Sequence, residues 1–435
     1  MKVSALAVAL MAVCSASHAA DLLTAYQDAL ARDPSYAAAR AQRDADQEKR
    51  TQARAGLFPQ IGLQASSNWN QADVTMTGAS SAMARDYNSN TYGVQLTQPL
   101  FRWQNWVQYE QGDLAAEMAD VQLKLARQDL TLRVAQAYFQ VLYAQDALDA
   151  VTFLRRASEE QNKAAKASFE KGGVTVTDVH EAQARLDLAL AQELTAQQQL
   201  GLARANLARL TGTSVVAVAK LPAAVTLASP RPATADDWLM AAGLNNLGVH
   251  LRRMAQDMSE LVSRRAAAGH LPTLDLVASR GVQNRTTMGA DRIEASTVGV
   301  QFTLPLFAGG YISSQQREAA MLRLKAEAEL DDARQGARLS AQQAWLNLTS
   351  GLAQVKALEA SQKSSQTALD SNKLGYQVGV RINIDVLNAQ AQLADTMQKL
   401  SKARYDTLMA QLQLKAAVGT LSDEDVQQLN ALLVD

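Results

Sequence analysis

Eight prolines punctuate this chain, at positions 34, 59, 99, 222, 230, 232, 272 and 305, and none lies between Leu100 and Leu221 or after Pro305. Proline breaks a helix interior because it lacks the backbone donor and its ring crowds the preceding turn. Two long segments are therefore free of the strongest breaker. From Asp113 to Lys171 glycine is absent as well. At ~1.5 Å per residue that stretch can run as one helix about 90 Å long, wider than most globular domains.

Leu114, Met118, Val121, Leu125, Gln128, Leu132, Ala135, Phe139 and Leu142 step through it by fours and threes, and only Gln128 is polar. Leu123, Arg127, Leu130, Val134, Ala137, Val141, Ala144, Leu148 and Val151 trace a second seam on another face. One seam makes an ordinary coiled coil. Two predict neighbours on both sides of each helix, in a solid bundle or in a helical sheet curled into a tube. Composition agrees, since 48% of residues are apolar but only 5% aromatic, the balance of long packed helices rather than of a globular enzyme. The formal charge of -1 gives no ground for a nucleic-acid partner.

The chain also repeats itself after about two hundred residues. Phe169-Glu-Lys-Gly172 followed by Asp178-Val-His-Glu-Ala-Gln183 returns as Tyr376-Gln-Val-Gly379 followed by Asp385-Val-Leu-Asn-Ala-Gln390. Thr97-Gln-Pro-Leu-Phe101 returns as Thr303-Leu-Pro-Leu-Phe307, and Leu57-Phe-Pro59 answers Leu271-Pro272. A period this long predicts two related halves, because solenoids and propellers repeat every 20–50 residues.

Between the helical segments the hydrophobic period falls to two. Ile61, Leu63, Ala65, Ser67 and Trp69 oppose Gly62, Gln64, Ser66, Asn68 and Asn70; Tyr92, Val94 and Leu96 oppose Thr91, Gly93, Gln95 and Thr97. In the second half Val298, Val300, Phe302 and Leu304 oppose Thr297, Gly299, Gln301 and Thr303, while Leu274–Val282 is less regular because Val277 falls on the polar face. Each half thus offers two strands of about ten residues or more, joined by polar loops at Thr77–Asp86 and Met288–Arg292. Tilted strands of that length, apolar outside and small-polar inside, mark an outer-membrane barrel. A soluble hairpin with one face on a core shows the same alternation.

If the strands are in a membrane, four cannot close a barrel, and an open edge facing lipid leaves backbone groups unpaired. Copies must pool their strands. Two give eight, which side chains would fill; three give twelve and room for a channel, the option the polar inner face favours. Trp69, Tyr87 and Tyr92 suit an interfacial girdle. Phe101, Trp103 and Trp106 are read as ordinary packing where strand becomes helix.

The first twenty residues read separately. Lys2, the apolar run Val3–Val13 and the small residues Ser15–Ala20 make a secretory signal peptide, with cleavage expected after Ala19 or Ala20. The run is too short to span a bilayer. Cys14 is the only cysteine, and Val13 before it disfavours lipidation. No disulfide is therefore expected in the processed chain, although its compartment would permit one.

Chemistry finds no foothold. His180, His250 and His270 lack companions at ligand spacing, and there is no nucleophile elbow or phosphate loop. Neither enzyme activity nor a cofactor or metal is expected.

The duplicated order of elements, the proline-flanked hairpins and the two helix-turn motifs together resemble the TolC family of outer-membrane efflux and secretion ducts. The motifs are Phe169-x-x-Gly172 with Thr177-Asp178-Val179, and Gly375-Tyr-x-Val-Gly379-x-Arg381 with Asp385-Val-Leu387. Ala403-Arg-Tyr405 and Gly419-Thr-Leu421 resemble the last long helix and its end.

The resemblance covers the whole processed chain. It implies an α+β membrane protein, mostly α: a homotrimeric duct with a twelve-stranded barrel, four strands per protomer, continuing into a periplasmic α-helical barrel. The expected divisions are a signal peptide at 1–20; a first repeat at 21–220, with its hairpin at about 60–100 and long helices at about 105–210; an equatorial linker at 221–246; a second repeat at 247–421, with hairpin at about 273–306 and long helices at about 310–418; and a C-terminal equatorial segment at 422–435. The implied setting is the outer membrane of a Gram-negative bacterium, in contact with its lipid. The implied partners are a periplasmic adaptor and an inner-membrane ABC, RND or MFS transporter, and the implied cargo is secreted protein, small toxic compounds or both.

Residue by residue, the resemblance puts Gly172 and Gly379 at the turns of the periplasmic tip. It matches Tyr376 and Arg381 to positions tethering the inner coiled coil, and Thr177 and Asp178 to their partners, a gating latch. The first repeat has Phe169 and Val174 where the second has Tyr376 and Arg381. A local reading stays open: Asp178-x-x-Glu181 as a capping box, and Asp385 complementing a helix dipole. Asp385 matches the narrowest constriction, a ring of carboxylates under threefold symmetry. Enterobacterial members carry a second aspartate one turn on, where this chain has Asn388, which implies weaker cation selectivity and weaker polyvalent-cation block. The competing expectation is a soluble periplasmic coiled-coil scaffold or adaptor, which would lack the four alternating strands.

Overall fold

The computed structural model describes residues 21–75, 83–213, 217–222, 225, 227–285 and 291–434. The expected signal peptide lies outside the described residues, as does most of the expected loop 77–86.

The halves repeat one order of elements. Helix α1 (Leu22–Arg32) comes first. Helix α2 (Pro34–Ala55), strands β1 (Gln60–Val74) and β2 (Met83–Phe101), and helices α3 (Trp103–Glu170) and α4 (Val176–Thr211) follow. After the short α5 (Ala235–Asn245), the second half gives α6 (Leu247–Ala267), β3 (Thr273–Asn284), β4 (Arg292–Thr303), α7 (Tyr311–Gln377) and α8 (Asn383–Val418), and α9 (Asp423–Asn430) closes the chain. The long helices have 68 and 67 residues, and their return helices 36 each. Corresponding helices of the two halves thus match in length to within one residue.

The chain forms two compact units, and the division cuts across the repeat. One contains the segment up to Ala38 with Leu125–Asn246 and Gly336–Asp435; the other contains Ala39–Lys124 and Leu247–Gln335.

In the second unit the strands form one antiparallel sheet of order β1-β2-β3-β4. Its register puts Ile61, Leu96, Ala278 and Val298 in one row, and Gly62, Gln95, Ser279 and Thr297 in the row beside it on the other face. The strands have 15, 19, 12 and 12 residues, in line with the expected ten or more, and Met83–Asp86 and Arg292 join strands rather than loops. Register shifts between Pro99 and Phe101, the kind of place a strand tolerates proline, which cannot donate to the ladder. Just beyond, Arg102 grips the buried Asp275 with two hydrogen bonds, Nε at 2.7 Å and Nη2 at 2.6 Å. That is the bidentate geometry in which a buried carboxylate is best compensated. Phe101, Trp103 and Trp106 are 45%, 41% and 47% exposed. They are thus partly packed within one protomer, and Trp106 meets Tyr109 with ring centroids 6.0 Å apart and planes tilted by 56°.

In the first unit both seams of α3 are buried where the heptads run cleanly. Ala135, Phe139 and Leu142 come from one, and Leu130, Val134, Val141, Ala144 and Val151 from the other. Phe139 stacks on Tyr405, whose hydroxyl donates to Asp146 at 2.8 Å. Burial, reinforced by the Asp146 carboxylate, raises the Tyr405 pKa well above the usual phenol value. The ends of the chain meet here too. Tyr26 on α1 donates to Asp423 at 2.8 Å, Arg127 pairs with the same carboxylate, and Asn430 donates to Asp21 at 2.9 Å. Lys220 and Val434 exchange two backbone hydrogen bonds of 2.8 Å.

Candidate functional site

The residues singled out in sequence lie at the two hairpin turns of the first unit. Each turn spans five residues, 171–175 and 378–382, between helix ends. Both open on the same motif. Gly172 takes φ +72° and Gly379 φ +78°, a left-handed conformation that costs other residues roughly 1–2 kcal/mol. The amide of Gly173 reaches the carbonyl of Ser168 and that of Val380 the carbonyl of Gly375, both at 2.8 Å. These six-to-one bonds, with those from Gly172 to Phe169 and from Gly379 to Tyr376, make Schellman caps that satisfy the last carbonyls of α3 and α7.

The turns differ in how the next helix begins. Thr175 caps α4, its hydroxyl accepting the Asp178 amide at 3.3 Å while Asp178 Oδ2 accepts the Thr175 amide at 2.9 Å and its hydroxyl at 2.7 Å. The capping box therefore exists, but as Thr175-x-x-Asp178 rather than Asp178-x-x-Glu181. A helix entered at Val176 needs its cap one residue earlier, and threonine is a favoured cap. In α8 the capping position holds Ile382, which offers no side-chain acceptor. Asp385, the counterpart of Asp178, instead sits 3.6 Å from Arg381.

Of the four residues expected to form a latch, Tyr376 packs on Leu369, Val386 and Leu393, Arg381 pairs with Asp385, and Thr177 is exposed. Among the described residues no hydrogen bond or ion pair joins Tyr376 or Arg381 to Thr177 or Asp178. Gly375 makes room for Arg381, since a Cβ there would stand 2.7 Å from the arginine Cγ.

What joins the two hairpins is a set of amides that sequence reasoning missed. Gln161 donates to Asn383 at 2.6 Å, and Asn383 donates to the Asp178 carbonyl at 3.3 Å. Within the first hairpin, Asn162 donates to Gln183 at 2.9 Å. Asn383 and Gln161 are buried, beside a small apolar cluster of Ala165, Ala182 and Leu387. Arg185 on α4 reaches Asn388 at 3.1 Å. No spacing along the chain announces pairs some two hundred residues apart; the one local hint is an asparagine opening a helix at 383. The second turn exposes Val378, Val380 and Ile382, with Leu374 just before it on α7, each more than 60% accessible.

Solved structures share this fold. The outer-membrane protein VceC of Vibrio cholerae superposes with a TM-score of 0.78 at 20% identity, over 92% of this chain and 96% of that one. The Campylobacter jejuni CmeC outer-membrane channel gives 0.79 at 16%, over 95% and 90%. These structures define the fold class: a four-stranded antiparallel sheet together with two long helical hairpins. In sequence, the model of the family described as "Outer membrane efflux protein" matches residues 25–213 and 254–420. The chain is 32% identical to the outer membrane protein TolC of Escherichia coli (strain K12) over 431 residues, covering 96% of this chain and 86% of that protein. It is 31% identical to the alkaline protease secretion protein AprF of Pseudomonas aeruginosa, over 95% and 87%. The chain belongs to the outer membrane efflux protein family. It is an exit duct of the outer membrane that extends into the periplasm.

Proposed function

We propose that three copies of this chain assemble into one passive duct, gated at the hairpin turns and coupled through a periplasmic adaptor to an inner-membrane pump. The observation that carries the trimer is the sheet itself. Strands β1 and β4 each have a partner on one side only, and Ile61, Leu63, Val298, Val300 and Phe302 on its apolar face are each more than 60% exposed. Lipid cannot satisfy an open edge. Three sheets joined β4 to β1 remove every edge and enclose a lumen lined by Gly62, Gln64, Ser66, Gln95, Ser279 and Thr297.

The gate follows from the turns. Arg381 is 58% exposed and its tie to Asp385 is solvent-screened, so it is worth little and is readily exchanged for Thr177 and Asp178 of a neighbouring copy. Tyr376 donates to the same neighbour. Asp178 remains able to accept, because its box uses Oδ2 and leaves Oδ1 free. Asp385 and Asn388 then line the constriction, and the exposed apolar residues of the turns give an adaptor its footing. Cargo is set by the pump, and both secreted protein and small compounds suit a passive duct.

Paired cysteines test the trimer, one scanned along β1 near Ser66 and one along β4 near Thr297. Within a chain the edges are three strands apart, about 14 Å, too far for a disulfide. Any oxidised cross-link is therefore between chains. A ladder ending at trimer in membrane fractions is the expected result; a soluble, uncross-linked monomer refutes the duct in favour of a periplasmic scaffold. For the latch, Tyr376→Phe with Arg381→Ser should raise single-channel conductance severalfold, and an unchanged, nearly closed conductance would refute it.

A further inference from the structure

Arg185 is a charged residue that the proposed latch and ring leave unused. It projects from α4, half-buried, and donates from Nη2 to the side-chain oxygen of Asn388 at 3.1 Å. Among the described residues it forms no ion pair. Asn388 stands one turn of α8 beyond Asp385, where an aspartate would have completed a second acidic ring. The guanidinium thus comes to rest on the amide that replaces that carboxylate.

The charge balance around the pair is simple. Asp385 already has Arg381 at 3.6 Å. Gln183, two residues before Arg185 and so on the opposite side of α4, bonds Lys166 at 3.2 Å and Asp187 at 2.9 Å and so adds one charge of each sign. Arg185 itself has no carboxylate at ion-pair distance, although Glu181 lies one turn before it on α4. A guanidinium cannot lose its proton in a protein, so its charge persists at any working pH.

We infer that Arg185 is a charge-selectivity residue of the duct: held on Asn388, it offsets Asp385 and makes the constriction a mixed-charge ring that admits anionic as well as cationic solutes. The inference rests on the reading of Asp385 and Asn388 as the constriction. Threefold symmetry would set three guanidiniums beside three carboxylates. A unit charge roughly 7 Å from a permeating ion in a water-filled mouth shifts the ion's local population about two- to threefold. A cation-selecting carboxylate ring is weakened by that factor.

Reversal potentials in a KCl gradient across planar bilayers, with block by hexaamminecobalt(III), test this on the full-length trimer. Arg185→Gln should raise the potassium-over-chloride permeability ratio about two- to threefold and increase sensitivity to the trivalent cation. Arg185→Lys should stay near the parent, which separates charge from any effect of losing the Asn388 contact. Asp385→Asn should lower the ratio. If Asp385→Asn lowers it while Arg185→Gln leaves it unchanged, the role given to Arg185 is wrong and the constriction stands. If both variants match the parent, the constriction is elsewhere and both readings fall.

Discussion

Asp178 and Asp385 occupy the same place in the two repeats and do different work, because the residue three before each is Thr175 in one and Ile382 in the other. Thr175→Ala removes the hydroxyl half of the capping box, leaving the backbone amide on Asp178, and should cost about 1 kcal/mol, read as faster amide exchange in the first turn of α4. Ile382→Thr should install the missing box in α8, gaining a similar amount and drawing Asp385 away from Arg381. Asp33 makes a further residue-level case. Burial would raise its pKa, but bonds from Ser35 and the Tyr36 amide, with Arg133 beside it, outweigh burial and hold it below the ordinary carboxylate value. A depressed folded pKa gives stability that is complete above the unfolded pKa and lost as pH falls through the folded one. Thermal midpoints of wild type and Asp33→Asn should therefore differ at neutral pH and converge in acid. A constant gap across that range would mean Asp33 acts through packing alone.

At the scale of elements, glycine inside a long helix tests packing against propensity. Gly112 lies in α3 where a Cβ would stand 2.4 Å from the Ala53 Cβ and 2.8 Å from the Lys49 carbonyl of α2. Propensity alone predicts that Gly112→Ala stabilises by about 1 kcal/mol. Overpacking predicts a loss of about 1–3 kcal/mol, and the backbone oxygen cannot swing aside. The melting temperature should fall, and a rise would show that α2 and α3 can separate. Such contacts also explain what sequence could and could not reveal. The long helices were legible because nothing breaks them from Asp113 to Lys171, and the strands because their faces alternate. Both turns were legible because only glycine sits easily at φ +72° and +78°. The Gln161–Asn383 and Arg185–Asn388 pairs were not, because they join helices remote in sequence and obey no local period. Thr175 was overlooked because a capping box reads equally well one turn later, and only the backbone's entry into the helix decides between frames. The open sheet edges were legible only as an arithmetic problem, four strands being too few to close.

At the scale of the whole chain, the two ends are tied together. Asp21, the first described residue, caps α1 through the Thr24 amide at 2.7 Å and accepts from Asn430. Tyr26 and Arg127 converge on Asp423, and Lys415 pairs with Asp425. Beneath these bonds Leu22, Tyr26, Val426 and Leu429 are buried. Helix α9 has only eight residues, too few to persist without tertiary packing, so its order and that of α1 depend on one another. Removing residues 423–435 should expose apolar surface equivalent to two buried side chains, about 3–6 kcal/mol, and orphan Asn246–Ala417-type helix ends no further, since that bond, at 2.8 Å, lies outside the deleted segment. Amide exchange should then accelerate throughout Leu22–Arg32 while the turns at Gly172 and Gly379 keep their protection. Asp423→Asn, which leaves Arg127 without its carboxylate, should produce a smaller acceleration in the same helix. If α1 exchanges at the parental rate in the truncated protein, its anchorage is to α4 alone, through the packing that places Gly212 within 3.0 Å of the Arg32 side chain when a Cβ is added.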